Sequence, residues 1–297
     1  MKKFFILAAA ALSFAACSNN ESDNQVQNPD NAIRLNASVG EITRAGSNLL
    51  ETNFASGTKV KVQVTDLAAS GTISYNAVDY TVGDAGALSV TPIQYYPASG
   101  SDVKVYAYYP NDASTTANGF VVATNQSGDD AYKSSDLMYA SKNPLVKNTT
   151  NELVFEHLMS KITVTLTAGT GFEDTELADA TVVLKAVKYK GTFAPADGTF
   201  TAANDTENIT ITTAAGTTAK SAIIVPQDVA GKKLAVTIAG KEMEYSIPAS
   251  TNFEKGKNNT YSITVAKTGI VVSSSIADWD NGGNNDSQSA SDKTLTY

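Results

Sequence analysis

The sequence predicts an all-β protein made of two tandem antiparallel β-sandwich domains. Three observations carry this. Valine, threonine, isoleucine and tyrosine are abundant, no window sustains an amphipathic helical period over three turns, and short alternating apolar runs recur between glycine-bearing turns. Roughly 280 mature residues exceed one typical domain, so two of ~100 to 150 residues are expected, each of about seven strands.

The division between the two sets of strands falls in residues 153–166, LVFEHLMSKITVTL, where two strand-like runs abut with no turn signal between them. Leu153, Val154 and Phe155 close one run, and Ile162, Val164 and Leu166 alternate with threonines to open the next. The expected domains are therefore 45–157 and 158–297. The only histidine of the chain, His157, lies at their boundary, where a histidine beside Leu158 and Met159 reads as a hydrogen-bonded junction residue.

The head of the chain is a separate unit. Lys2 and Lys3 precede an apolar run over 4–16, too short to span a bilayer, which reads as a signal peptide. Small residues lead into Cys17, as in a bacterial lipoprotein signal, so cleavage is expected between Ala16 and Cys17 with lipid on the Cys17 thiol. Several acyl chains anchor stably where one does not. Ser18 follows the cysteine in place of the aspartate that resembles an inner-membrane retention signal, which favours the outer membrane. Cys17 is the only cysteine, so an exported chain carries no disulfide framework. Residues 17–44 form a polar tether followed by a strand.

Taken in order, residues 33, 35, 37 and 39 are apolar and alternate with Arg34, Asn36 and Ser38, the period of a half-buried strand. Further strands are expected at 59–65, 72–75, 78–82, 88–93 and 103–109. Beyond the division they are expected at 162–166, 181–189, 209–212, 222–225, 234–238, 243–247 and 261–265. Tyr95, Tyr96, Tyr106, Tyr108 and Tyr109 admit a carbohydrate-stacking platform, but at strand spacing tyrosine reads first as cross-strand packing.

Composition and motifs exclude several functions. Loss of Lys2 and Lys3 takes the formal charge from −8 to −10, with 20 basic against 30 acidic residues, and such a surface does not attract a phosphate backbone. One histidine and one lipidated cysteine cannot build a zinc site or a Cys/His pair. No glycine-rich loop joins a strand to a helix, and acidic pairs such as Asp129-Asp130 lie in polar loops. Asp278, Asp280, Asn284 and Asp286 place oxygen ligands at alternate positions, but the fifth position is Gly282 and Ser289 stands where a calcium loop needs a bidentate glutamate. No catalytic residue, cofactor or metal is expected, and the chain is not read as an enzyme.

Several segments, in order and spacing, resemble the fimbrillins, subunits of the type V pili of certain Gram-negative anaerobes. These are Val105-Tyr106-Ala107-Tyr108-Tyr109-Pro110, Asp136-Leu137-Met138-Tyr139-Ala140, the Phe155-x-His157 junction, Ile224-Val225-Pro226-Gln227, Phe253-x-x-Gly256-Lys257 and Ile276-Ala277-Asp278-Trp279. The resemblance implies transthyretin-like sandwiches. It also implies that an exported arginine-specific protease removes the N-terminal segment, and Thr43-Arg44-Ala45 resembles that site, with the cut between Arg44 and Ala45. The role so implied is structural, in a surface fimbria used for adhesion. The expected partners are other fimbrial subunits, the outer membrane through the lipid, and host or bacterial surface ligands. The alternative is a monomeric outer-membrane lipoprotein that binds glycan or host protein.

Overall fold

A computed structural model describes residues 31–40, 53–68, 74–211, 219–279 and 293–296. The first strands are β1 (Arg34–Val39), β2 (Lys59–Asp66), β3 (Ser74–Val82), β4 (Ala87–Ser89), β5 (Val103–Tyr109), β6 (Phe120–Val121), β7 (Met138–Lys142) and β8 (Thr150–His157). All but β6 join one sheet in the order β1-β4-β3-β2-β5-β7-β8, which closes on itself as a barrel. Its interior is filled by the inward residues of each alternating strand, among them Val60, Val62, Val64, Val82, Val105, Leu153 and Phe155.

The remaining strands are β9 (Ser160–Ala168), β10 (Thr181–Lys188), β11 (Lys190–Ala194), β12 (Thr199–Ala202), β13 (Thr206–Ile211), β14 (Ala219–Ile224), β15 (Gln227–Asp228), β16 (Lys233–Ile238), β17 (Lys241–Ser246), β18 (Asn252–Phe253), β19 (Lys257–Ala266), β20 (Gly269–Asp278) and β21 (Lys293–Thr296). A four-stranded sheet, β13-β10-β16-β17, and a five-stranded sheet, β14-β9-β19-β20-β21, share one core. Val182, Leu184, Leu234 and Val236 come from the first, and Ile162, Val164, Ile263 and Val265 from the second. Tyr245 meets Tyr261 edge to face across it, with ring centroids 6.4 Å apart. This is sheet-on-sheet packing driven by one buried face per strand.

The all-β class thus follows from the alternation. The structure adds what a period of two cannot carry, since strand direction leaves no trace in it. Antiparallel pairing is not universal: β1 runs parallel to β8, and β9 parallel to β19. The runs expected at 72–75 and 78–82 form one strand, β3, across a register shift against β2 between Val62 and Val64. The 88–93 run shortens to β4. The chain also changes cores more than once. Phe120 and Val122 lie in the second core, β6 pairs with β11, and Tyr108 packs edge to face on Phe193 at 5.2 Å.

The two cores meet at His157. Its Nδ1 lies 2.9 Å from Asp136 Oδ1, both side chains being essentially inaccessible, and its ring stacks on Trp279 at 3.9 Å with planes 8° apart. The Trp279 amide donates to Gly256 O at 2.7 Å, and the Gly256 amide donates to Met159 O at 2.8 Å. One indole therefore ties the C-terminal end of β20 to the seam, and truncating a buried tryptophan forfeits its contacts and leaves a cavity. Trp279→Ala is expected to lower stability by about 3 to 5 kcal/mol in denaturant unfolding. A loss under about 1 kcal/mol would show that the ring does not hold the seam.

Lys161 sits beside the same ring, its ammonium 5.9 Å from the Trp279 centroid, and burial pushes its pKa from 10.5 down to about 8. Between about pH 8 and 10.5 the unfolded chain then holds more protons than the folded one, so stability rises with pH through that window. Above about pH 10 buried tyrosines oppose this, because burial raises phenols such as Tyr109, to about 12, and the unfolded phenol ionises first. Between pH 7.5 and 9.5 wild-type stability is expected to rise by roughly 2 kcal/mol through this lysine, and Lys161→Met to flatten the slope. An equal slope in both proteins would remove Lys161 as its source.

Candidate assembly groove

The element with the most to tell about function is β1. Its inward residues Leu35, Ala37 and Val39, with Ile33 just before them, are buried in the first core, while Arg34 is exposed and Asn36 and Ser38 are half-buried on the other face. On one side β1 runs parallel to β8 over six pairs, from Arg34 opposite Thr150 to Val39 opposite Phe155. On the other side it meets β4 antiparallel through only Leu35 opposite Leu88 and Asn36 opposite Ala87. Ahead of the strand, the Ile33 amide donates to Gln94 O at 2.9 Å and the Tyr96 amide donates to Asn31 O at 3.0 Å. After it, the Gly40 amide donates to Phe155 O at 2.9 Å. β1 is thus the stave that closes the barrel, and without it two lines of backbone groups would face an apolar trough.

The walls of that trough are built from packed aromatic side chains. Phe54 packs edge to face on Phe155 at 4.9 Å and lies 5.5 Å from Tyr109. The Tyr80 hydroxyl donates to Gln94 Oε1 at 2.9 Å, and burial raises its phenol well above the ordinary range. The turn before β4 comes closest. Gly86 has φ +81°, and a Cβ there would overlap the carbonyl oxygen of Ala37, so β1 is seated against a position that only glycine fits.

Four of the five tyrosines are spent on packing, as their spacing suggests. Tyr96 is buried with its hydroxyl donating to Val146 O at 3.1 Å, the Tyr106 hydroxyl donates to Gln63 Oε1 at 2.6 Å, and Tyr108 and Tyr109 pack on Phe193 and Phe54. A cavity of about 450 Å³ lies between β12 and β18, lined by Leu158, Phe200, Gln227 and Phe253 among others. Its buried amide, Gln227, is already engaged by the Lys188 amide at 2.7 Å and the Lys188 carbonyl at 3.0 Å. Among the described residues no group of three His, Cys, Asp or Glu side chains could hold a metal ion.

Ala16, Cys17, Arg44 and Ala45 lie outside the described residues, as do 280–292 with most of the alternating oxygen ligands. Two parts of the groove escaped the sequence reading. In the sequence Gly86 is one turn glycine among several, and nothing in the pattern of 150–155 names β1 as its neighbour. A glycine flanked by a strand start was the one available signal for the first.

The sequence profile of fimbrillin-like proteins matches residues 43–279. The chain belongs to the fimbrillin-like family. It is 27% identical over 302 residues to a Bacteroides uniformis protein that carries the name fimbrium subunit Fim1C, covering 95% of this chain and 98% of that protein. It is similar to a solved Bacteroides uniformis structure described as a cell adhesion protein, at 25% identity and a TM-score of 0.68, with 84% of this chain and 99% of that one covered. A Bacteroides ovatus structure described in the same way shares the fold at 19% identity and a TM-score of 0.62, with 86% of this chain and 100% of that one covered.

Fimbrillin-like chains are structural fimbrial subunits, not enzymes, and they act at the cell surface in assembly with other fimbrial subunits. In a fimbrillin-like chain a strand that closes a barrel is a place to look for assembly chemistry. Gly86→Ala tests how tightly β1 is seated. The added methyl both overlaps Ala37 and forces alanine to positive φ, which costs on the order of 1 to 3 kcal/mol. Faster amide exchange over 34–39 and 150–155 is expected, with the second core unchanged. Unaltered protection of β1 would mean that the turn yields and does not clamp the strand.

Proposed function

We propose that this fimbrial subunit is exported as a lipoprotein anchored in the outer membrane through Cys17, is cut between Arg44 and Ala45, and assembles by donor-strand exchange to form an adhesive fimbria. The observation that carries this reading is the position of β1. It ends at Val39, five residues before Arg44, and it is the one strand whose removal opens the closed barrel without unthreading any other. Arg44 has one competitor for an arginine-specific protease, since the chain's only other arginine, Arg34, is held within β1 opposite Thr150.

Magnitudes decide the outcome of such a cut. Burial of Ile33, Leu35 and Val39 contributes roughly 5 to 9 kcal/mol, at ~1.5 to 3 kcal/mol for each large aliphatic side chain. That is comparable to the whole stability of a typical domain, ~5 to 15 kcal/mol. An emptied groove therefore cannot persist. An extended segment from a neighbouring subunit can refill it, its backbone completing both ladders and alternate side chains filling the interior. Donor and groove lie at different places on a subunit, so the contact is heterologous and propagates into an open filament. A lipid on Cys17 would hold the precursor at the membrane until the cut releases it.

Mass spectrometry of the N-terminus of surface material is expected to find Ala45 in assembled protein and acylated Cys17 in the Arg44→Ala variant. The same variant is expected to remain monomeric when lipid-free precursor is treated with an arginine-specific protease, while wild type passes slowly to heat-resistant oligomers. Wild type that is cut at Arg44, loses residues 17–44 and stays a folded monomer would overturn strand exchange in favour of a stand-alone surface lipoprotein.

A further inference from the structure

Resting on that reading, we infer that the groove selects its occupant by size: the inserted strand of the neighbouring subunit must present large, large, small, large side chains at every second residue, with the small one at the Ala37 position. Four inward positions are filled by Ile33, Leu35, Ala37 and Val39, all at most 7% exposed. Three take branched aliphatic residues, and the third takes a single methyl.

Two independent observations make that third position strict. The side chain of Ala37 points into a filled interior, opposite Leu153 of β8, and is itself only 5% exposed, so added atoms meet packed neighbours. Its backbone has no room to withdraw either. Continuing the β1–β4 register places Gly86 opposite Ala37, and the missing Cβ of Gly86 is what admits the Ala37 carbonyl. A larger residue would need the strand to lift towards a turn that already touches it. The other large positions lack this double restriction, since Leu35 faces Leu88, a side chain that can adjust.

The chain carries the same order in β20, where Ile270, Val272, Ser274 and Ile276 recur at the same spacing. β20 is paired with β19 along all ten of its residues, which commits it to its own sheet. The four residues of β21 contain one large aliphatic, Leu295, and do not meet the requirement. The occupant is thus an extended segment of another subunit with branched aliphatics flanking an alanine, serine or glycine.

The test exchanges strands in trans. Full-length, lipid-free protein is cut with an arginine-specific protease, the protease is inhibited, and fluorescent peptides of residues 31–40 are added in excess, with native sequence or with Ala37→Leu. A third peptide carries Leu35→Ile as a control of equal volume. Native and control peptides are expected to enter and raise anisotropy. The Ala37→Leu peptide is expected to bind roughly ten- to a hundred-fold more weakly, the range that overpacking a core position commands. Equal binding of all three would overturn the size selection while leaving strand exchange intact. If even the native peptide fails to enter the cut protein, exchange itself is wrong, and the selection falls with it.

Discussion

The first half of this molecule depends on the closure of one ladder. A twisted sheet that ends in two open edges exposes unpaired amides and carbonyls, and here β1 removes both edges at once by sitting between β8 and β4. It does so unequally, with six pairs to β8 and two to β4. The strand is therefore held on one side by a continuous ladder and on the other by scattered bonds at 94–96 and the close approach of Gly86. An element secured mainly by hydrophobic contacts and one ladder is replaceable by any chain of the right spacing, because backbone pairing is indifferent to sequence. Selection then falls to the interior side chains, where packing density leaves little tolerance.

Backbone left open elsewhere, in both halves, is satisfied differently. Three side-chain amides each imitate a neighbouring strand by accepting from the N–H and donating to the C=O of one residue. Gln126 does this at Ile223 on β14, with bonds of 2.7 and 2.8 Å, Gln227 at Lys188 on β10, and Asn151 at Val146. Gln126 is 2% exposed, so its amide must be fully satisfied, and the backbone it satisfies would otherwise be an open end of the five-stranded sheet. The seam between the halves is closed by a buried ring pair, His157 on Trp279, with Asp136 bonded to the histidine. The polar partner orients the ring, and the indole excludes water from it, which accounts for a histidine in an apolar run without any catalytic role.

Much of this was legible in the chain. Alternation set which residues of each strand face inward, from Leu35 and Val39 to Ile263 and Val265, because burial of one face is a local property written at every second position. The resemblance of ordered segments to fimbrillins anticipated the family that the profile over 43–279 assigns. What only tertiary structure decided was pairing. A period of two is the same for parallel and antiparallel ladders, so the parallel union of β1 with β8 could not be read, nor the barrel closure that results from it. The excursion of Phe120 and Val122 into the second core escaped for the same reason, since contact between distant segments leaves no local mark. The seat of Ala37 against Gly86 is the sharpest case: a small residue in a strand and a glycine in a turn are each ordinary alone, and only the register of β1 on β4 makes the pair a constraint on what the groove can hold.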